Sequence, residues 1–300
     1  MKMLYVWGCL KMISNMISRI ILGTVQMGLN YGINNSKGII PPEESLLILD
    51  EAYNSGIRLI DTAKGYGKAL EIIAVYQSST KNKFEIINKF NNLKSIEEDE
   101  FVSDLRQINQ PNYYAYLFHD FKLFENSQIL FEIIKQKKKG RIKKIGVSVY
   151  TNDQFEIAIN TPNIDIIQLP FNLLDNSNHR LASIQLAKVK KIEIHVRSIF
   201  LQGLFFKSLD ELPNNLIPLR PYLEKLHFLA DKYSVGLEEM AIQYALSFKE
   251  IDFVLIGIDS INQLKCNLNF ANNKINTKLK EEIDMIHVNE FELLNPVNWK

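Results

Sequence analysis

Four residues of this chain are of types that can act together on a polar substrate. Asp61 ends the run RLID, Lys89 ends EIINK, His119 ends AYLFH, and Tyr66 follows Asp61 by five residues inside the triplet Gly65-Tyr66-Gly67. Such a set suits one kind of step. A carbonyl accepting a hydride gathers negative charge on its oxygen, which calls for a proton donor and a polarising hydrogen bond. A phenol, with an ordinary pKa of about 10, donates sluggishly near neutrality unless a cation beside it lowers that value. Lys89 can be that cation, Asp61 can hold the ammonium in place, and His119 can hydrogen-bond the substrate oxygen and fix its orientation. Taken singly, each has an ordinary structural reading, Asp61 as a helix cap and His119 as a core residue beside Phe118. Four suitable types at the ends of successive apolar runs are much harder to obtain by accident.

Those ends have to be brought together by the elements around them. From Ile20 onward, short β-branched apolar runs alternate with longer amphipathic stretches, the pattern of repeated βα units around a parallel sheet. Runs at 19–22, 58–61, 84–88, 113–118, 142–147, 164–168, 193–197 and 253–256 predict eight strands, each apolar enough to be buried on both faces. Helical spacing appears at 42–55, where Leu46, Leu49 and Tyr53 share a face and Gly56 supplies the stop. It recurs at 97–108, 126–139, 153–159, 179–190, 221–233, 237–248 and 260–271. Eight strands with intervening helices predict the α/β class and a single (β/α)8 TIM barrel, a fold that needs about 250 residues. In such a barrel the C-terminal ends of the strands carry the chemistry, so the four residues are expected to face one mouth.

Composition narrows the partners. At 300 residues the chain is long enough to bury a large core as one domain, and no Pro/Gly/Ser-rich linker divides it. Lys+Arg 35 against Asp+Glu 34 leaves no basic excess to hold a phosphate backbone, so nucleic acid is not expected as a partner. With 46% hydrophobic and 23% charged residues the chain reads as an ordinary globular protein. Cys9 and Cys266 lie far apart without a partner motif, which argues against a disulfide framework or Cys-based zinc site and suits a reducing cytoplasm. No metal is expected, because His119 lacks companion ligands at the strand ends. No membrane span is expected either, since no stretch approaches the roughly 18 uncharged apolar residues required. Residues 1–16 read as an N-terminal extension with several possible starts (Met1, Met3, Met12, Met16), and the apolar run after Lys2 is cut short by Lys11. Residues 17–300 read as the barrel with a C-terminal tail. The basic run 135–139 reads as a solvated helix C-terminus, and the Asn pairs at 34–35, 91–92 and 272–273 as turns.

The segment Asp61-Thr62-Ala63-x-x-Tyr66-Gly67, with Lys89 in INK and His119 in LFHD, resembles the aldo/keto reductase superfamily. The resemblance runs from Arg19 to about Phe270. It includes LGTVQMGLNYG at 22–32, IGVSVY at 145–150, IQLPFNLLD at 167–175, RSIFLQGLF at 197–205 and IGIDSINQLKCNL at 256–268. It implies an NAD(P)H-dependent interconversion of a small carbonyl compound, an aldehyde or ketone and in some members a sugar, with the alcohol. Tyr66 would be the acid/base, Asp61 and Lys89 would tune it, and His119 would orient the substrate. The resemblance implies cofactor contacts from Gly23 and Thr24, from Ser148 and Gln168 to the nicotinamide carboxamide, and from Arg197, Ser198 and Gly203 near the ring and pyrophosphate. It places Gly257, Ser260, Gln263 and Asn267 at the adenosine, where a helix N-terminus favours an anion.

The chain departs from the pattern in places. Val149 stands where many members have Asn, Arg197 where many place an aromatic ring, Gln263 where a basic residue often grips a 2′-phosphate, and Cys266 where an acidic residue often meets the adenine. NADPH is the cofactor expected, with NADH left open. Loops carrying Met27, Tyr31, Phe121, Phe200, Phe205 and Phe206 offer either a stacking surface for substrate or plain packing. The competing reading is a nucleotide-binding regulatory or interaction subunit with the same fold and little turnover.

Overall fold

Short runs buried on both faces are stable only where helices cover one side and other strands cover the other. The structure, a computed structural model that describes residues 16–90 and 98–299, meets that requirement by closing the strands on themselves. In chain order they are β1 (Ile20–Gly23), β2 (Leu59–Asp61), β3 (Glu85–Phe90), β4 (Tyr113–Phe118), β5 (Ile142–Ser148), β6 (Ile166–Pro170), β7 (Glu193–Arg197) and β8 (Phe253–Ile256). Each pairs in parallel with the next, and β8 pairs with β1 to complete a (β/α)8 barrel. Every strand lies within two residues of the run that predicted it.

The covering helices are α1 (Pro42–Asn54), α2 (Ala69–Ser79), α3 (Glu98–Gln107), α4 (Phe121–Phe124), α5 (Ser127–Lys138), α6 (Asn152–Asn160), α7 (Ser177–Val189), α8 (Arg220–Tyr233), α9 (Leu237–Leu246), α10 (Ile261–Ala271) and α11 (Thr277–Asp284). Gly56, at φ +105, supplies the turn from α1 toward β2, a conformation glycine adopts at little cost. α2, α4 and α11 were not expected from the helical spacing. The extension expected at residues 1–16 lies outside the described residues except for Met16, as does the Asn91–Asn92 turn. Among the described residues no helix is long and apolar enough to cross a membrane, and no cluster of His, Cys, Asp or Glu could hold a metal ion.

Alternation along the strands sorts side chains to two sides. Ile20, Leu22, Ile60, Ile86, Val147, Ile167, Val196 and Ile256 point outward into the large core beneath the helices. Ile21, Leu59, Ile87, Ala115, Leu117 and Ile166 point inward and form a separate apolar plug. Two residues further along each strand the same inward parity falls on Gly23, Asp61, Lys89, His119 and Gln168. The polar ring singled out by residue type is therefore the layer laid directly on top of that plug.

Candidate active site

Asp61 and Lys89 are buried on that layer, with only 1% and 3% of their surface exposed. Lys89 Nζ lies 2.6 Å from Asp61 Oδ1 and 3.3 Å from the Tyr66 hydroxyl. The other Asp61 oxygen accepts from Gln168 Nε2 at 3.0 Å, so both oxygens of a buried carboxylate are satisfied. Burial alone would lower the Lys89 pKa, yet the adjacent Asp61 carboxylate outweighs it and holds the ammonium above its ordinary value, firmly charged.

Tyr66 arrives from a loop held by backbone contact. A Cβ at Gly28 would lie 1.8 Å from the Tyr66 carbonyl oxygen, and one at Gly67, at φ +50, would lie 2.3 Å from the Gly28 carbonyl oxygen. Only glycine at both positions lets the loops after β1 and β2 touch main chain to main chain. Ala69 N–H then donates to the Tyr66 carbonyl at 3.0 Å and the chain enters α2, anchoring the loop on a helix. The His119 ring stands edge-on to the Tyr66 ring, centroids 5.9 Å apart at 84°. Burial, with the Lys89 and Arg197 charges, pushes His119 down to about 3, so its imidazole is neutral at physiological pH.

These four residues line one cleft together with Gly23, Thr24, Arg197, Ser198, Gly203, Gly257 and Gln263. Four other expected residues are not on its wall. Ser148 is buried and accepts from Arg197 Nε at 3.3 Å, while Gln168, its register partner across β5 and β6, is turned to Asp61. Ser260 Oγ is used as the α10 N-cap, accepting from Gln263 N–H, and Asn267 is buried within that helix. Arg197 was expected to offer a stacking plane. It lies 4.2 Å over the ring of Tyr150, and its nitrogens also reach the Val149 carbonyl and Ser198 Oγ.

Tyr150 is held in turn by Arg180, which donates to the Tyr150 carbonyl at 2.7 Å while making a two-pronged buried pair with Asp175. Of the candidate loop residues, Tyr31, Phe200 and Phe206 line the cleft, whereas Met27, Phe121 and Phe205 belong to the core. Gln202 Nε2 donates to the Tyr31 hydroxyl at 2.9 Å and Asn34 Nδ2 to the Gly203 carbonyl at 2.7 Å, so the loops after β1 and β7 meet across the cleft.

Among the wall residues with no assigned role in the sequence are Gln26, Tyr150 and Asp259. All three sit inside motifs already quoted, but an aromatic after a strand and an Asp before a helix cap read locally as packing and turn chemistry.

The wall fits an elongated polar ligand, with Gln26 Oε1 and Asp259 Oδ1 buried without partners toward its β8 end. Gln168 Oε1 is likewise without a partner, but it lies off the wall, beside Ser148. At the β8 end the main chain is bare, because a Cβ at Gly257 would lie 2.8 Å from Gln26 Nε2. A profile of the Aldo/keto reductase family matches residues 19–287. The chain is 24% identical over 298 residues to the NADH-specific methylglyoxal reductase of Escherichia coli (strain K12), covering 84% of this chain and 89% of that protein. Two solved structures share the fold. An aldo-keto reductase from Bacillus halodurans in its holo form superposes with TM-score 0.70 at 18% identity over 90% of this chain and 92% of that one. The glycerol dehydrogenase of Gluconobacter oxydans does so with TM-score 0.68 at 20% identity, over 89% and 90%. With the family profile spanning nearly the whole barrel, the chain belongs to the aldo/keto reductase family of oxidoreductases.

Proposed function

We propose that this protein reduces a small aldehyde or ketone to the alcohol, with Tyr66 as proton donor. The observation that carries the reading is the Tyr66 hydroxyl standing 3.3 Å from an ammonium that is itself fixed 2.6 Å from a buried carboxylate. A nicotinamide dinucleotide bound along the cleft supplies the hydride. Tyr66 Oη gives its proton to the carbonyl oxygen as charge collects there. The phenolate oxygen left behind faces Lys89 Nζ, whose positive charge is held in position before the reaction begins. Asp61 keeps that ammonium from turning away, and Gln168 keeps Asp61 from rotating. His119, neutral and beside the Tyr66 ring, carries one N–H that can hold the substrate oxygen within reach of the phenol. Tyr31, Phe200 and Phe206 form an aromatic entrance suited to small carbonyl compounds, sugars included.

The choice between NADPH and NADH falls on the β8 end of the cleft. The basic side chains on the described wall are Lys89 and Arg197, and neither comes from the segment after β8. The NADPH expectation therefore has only backbone N–H groups of α10 to support it, while the name of the Escherichia coli relative favours NADH. Steady-state reduction of methylglyoxal and other small aldehydes, followed by loss of dinucleotide absorbance, tests the activity. Binding of dinucleotide without turnover on any carbonyl would favour the regulatory reading instead.

A further inference from the structure

The β8 end of the cleft contains two buried acceptor oxygens with no donor. Asp259 Oδ1 and Gln26 Oε1 both lack a hydrogen-bond partner, and both residues line the cleft. Gln26 is more than nine-tenths buried. The two side chains are neighbours, the Gln26 side chain acting directly on the Asp259 carboxylate. Leaving buried acceptors unsatisfied is costly, and such groups call for an explanation. A ligand with two adjacent hydroxyl donors provides one.

The neighbouring groups do not compete for these oxygens. Asp259 N–H is taken by Gln263 Oε1 at 2.6 Å, and Gln263 N–H by Ser260 Oγ at 3.2 Å. Lys265, on the first turns of α10, is paired with Glu51 at 3.3 Å. Lys37, exposed on the loop after β1, acts on Asp259 by charge alone.

We infer that Asp259, with Gln26, selects a dinucleotide whose adenosine ribose has both hydroxyls free, so that this enzyme uses NADH in preference to NADPH. This rests on the proposed reductase reading and deepens it. A vicinal diol presents two O–H donors to the two orphaned oxygens, the same chemistry by which a carboxylate recognises ribose in other dinucleotide folds. A 2′-phosphate removes one of those donors and sets its own charge against the Asp259 carboxylate, so the site rejects it on two counts.

The test is calorimetric titration of the wild type and Asp259→Asn with NADH and NADPH. ADP-ribose and 2′-phospho-ADP-ribose, which lack the nicotinamide, place the effect at the adenosine end. The wild type is expected to bind NADH at least about tenfold more tightly than NADPH. Asp259→Asn should shrink that ratio by about ten- to a hundredfold, the range of one charge-assisted hydrogen bond, and the ADP-ribose pair should follow it. The substitution is nearly isosteric and removes an unpaired charge, so its melting temperature should not fall below that of the wild type. NADPH binding as tightly as NADH, or a ratio unmoved by Asp259→Asn, overturns the inference and leaves the reductase reading standing. Failure of the wild type to bind either dinucleotide overturns both.

Discussion

The barrel has two polar ends built from the same four residue types, and the C-terminal one opens on a cleft. At the C-terminal end stand Asp61, Lys89, Tyr66 and His119. At the N-terminal end stand Glu193, Lys144, Tyr114 and His195, an acid, a lysine, a tyrosine and a histidine once more. There Lys144 bonds Glu193 and also reaches the Tyr114 hydroxyl at 2.7 Å, Tyr114 donates to Glu193 at 2.9 Å, and His195 Nε2 meets Glu193 at 2.7 Å. The acid is the hub of that cluster and draws the other three onto itself. At the opposite end the lysine is the hub, and the tyrosine hydroxyl is left facing open space. Residue types alone do not make a site. An oxygen that can still receive something, at the end of the strands where loops leave room for a ligand, separates the two clusters.

The sharpest way to break that comparison is to remove one phenolic oxygen at each end. Tyr66→Phe is expected to lose about 100- to 10,000-fold in carbonyl reduction while dinucleotide binding and melting temperature hold, because positioned proton transfer contributes on that scale. Tyr114→Phe should do the reverse, leaving turnover within about twofold and lowering stability by about 1 kcal/mol for its lost hydrogen bonds. Steady-state kinetics and thermal denaturation of the two variants decide it. Equal turnover by wild type and Tyr66→Phe would remove Tyr66 as the acid.

The lysines give the next contrast. Lys89→Met leaves the Asp61 carboxylate buried without its cation, which typically costs about 3–5 kcal/mol. Lys144→Met should cost less, about 1–2 kcal/mol, since Lys144 is nearly one-third exposed and Glu193 keeps His195 and Tyr114. Urea denaturation of both variants measures the difference. Similar losses would mean that the two clusters are equally structural.

That the C-terminal cluster could be read from the sequence follows from period two. Strands buried on both faces stand out as short apolar runs, and a charged residue ending one, such as Lys89 in EIINK, has to be placed somewhere special. α2 escaped notice because ALEIIAVYQSS is apolar nearly all round and Lys68 at its start makes no side-chain cap, so neither the amphipathic stripe nor the start signal is present. The N-terminal cluster escaped because Glu193 opens β7 and Lys144 is the third residue of β5, near strand starts where charges are ordinary. Asp259 precedes Ser260, a genuine helix cap, and an acidic residue there looks like part of the turn. Its orphaned oxygen is a property of the folded chain and has no local signature.

Acid should attack the N-terminal cluster in a defined window. Burial pushes Glu193 up, but hydrogen bonds and charge from His195 and Lys144 win and hold it down at about 2. In the unfolded chain its ordinary value is 4.5, so the cluster contributes stability above about pH 4.5 and loses it as pH falls toward 2. Wild type should lose about 1–2 kcal/mol more than Glu193→Gln between pH 5 and 3, in urea titrations at fixed ionic strength. Parallel pH profiles for the two proteins would show that Glu193 is not the hub.

The pH effect of His119 has the same sign for a different reason. A histidine whose folded value lies at about 3 takes up a proton in the unfolded chain near 6.5 but not in the folded one, so acid favours unfolding from about pH 6.5 downward. His179, pushed down to about 4 by burial and by Arg180, contributes in the same window, so the wild-type profile alone does not isolate His119. Subtracting the profile of His119→Gln does. The variant keeps a side-chain donor in the cleft and has no imidazole there to titrate, so its stability should fall less steeply between pH 6.5 and 4, by up to about 3 kcal/mol. The proton signals of the wild type should meanwhile show the His119 imidazole still neutral at pH 5. A His119 that titrates near 6.5 in the folded protein would mean that the Lys89 and Arg197 charges do not reach it. In that case His119 would still be mostly neutral at pH 7 but would carry a cationic fraction of about one quarter there, and the substrate oxygen would meet both forms.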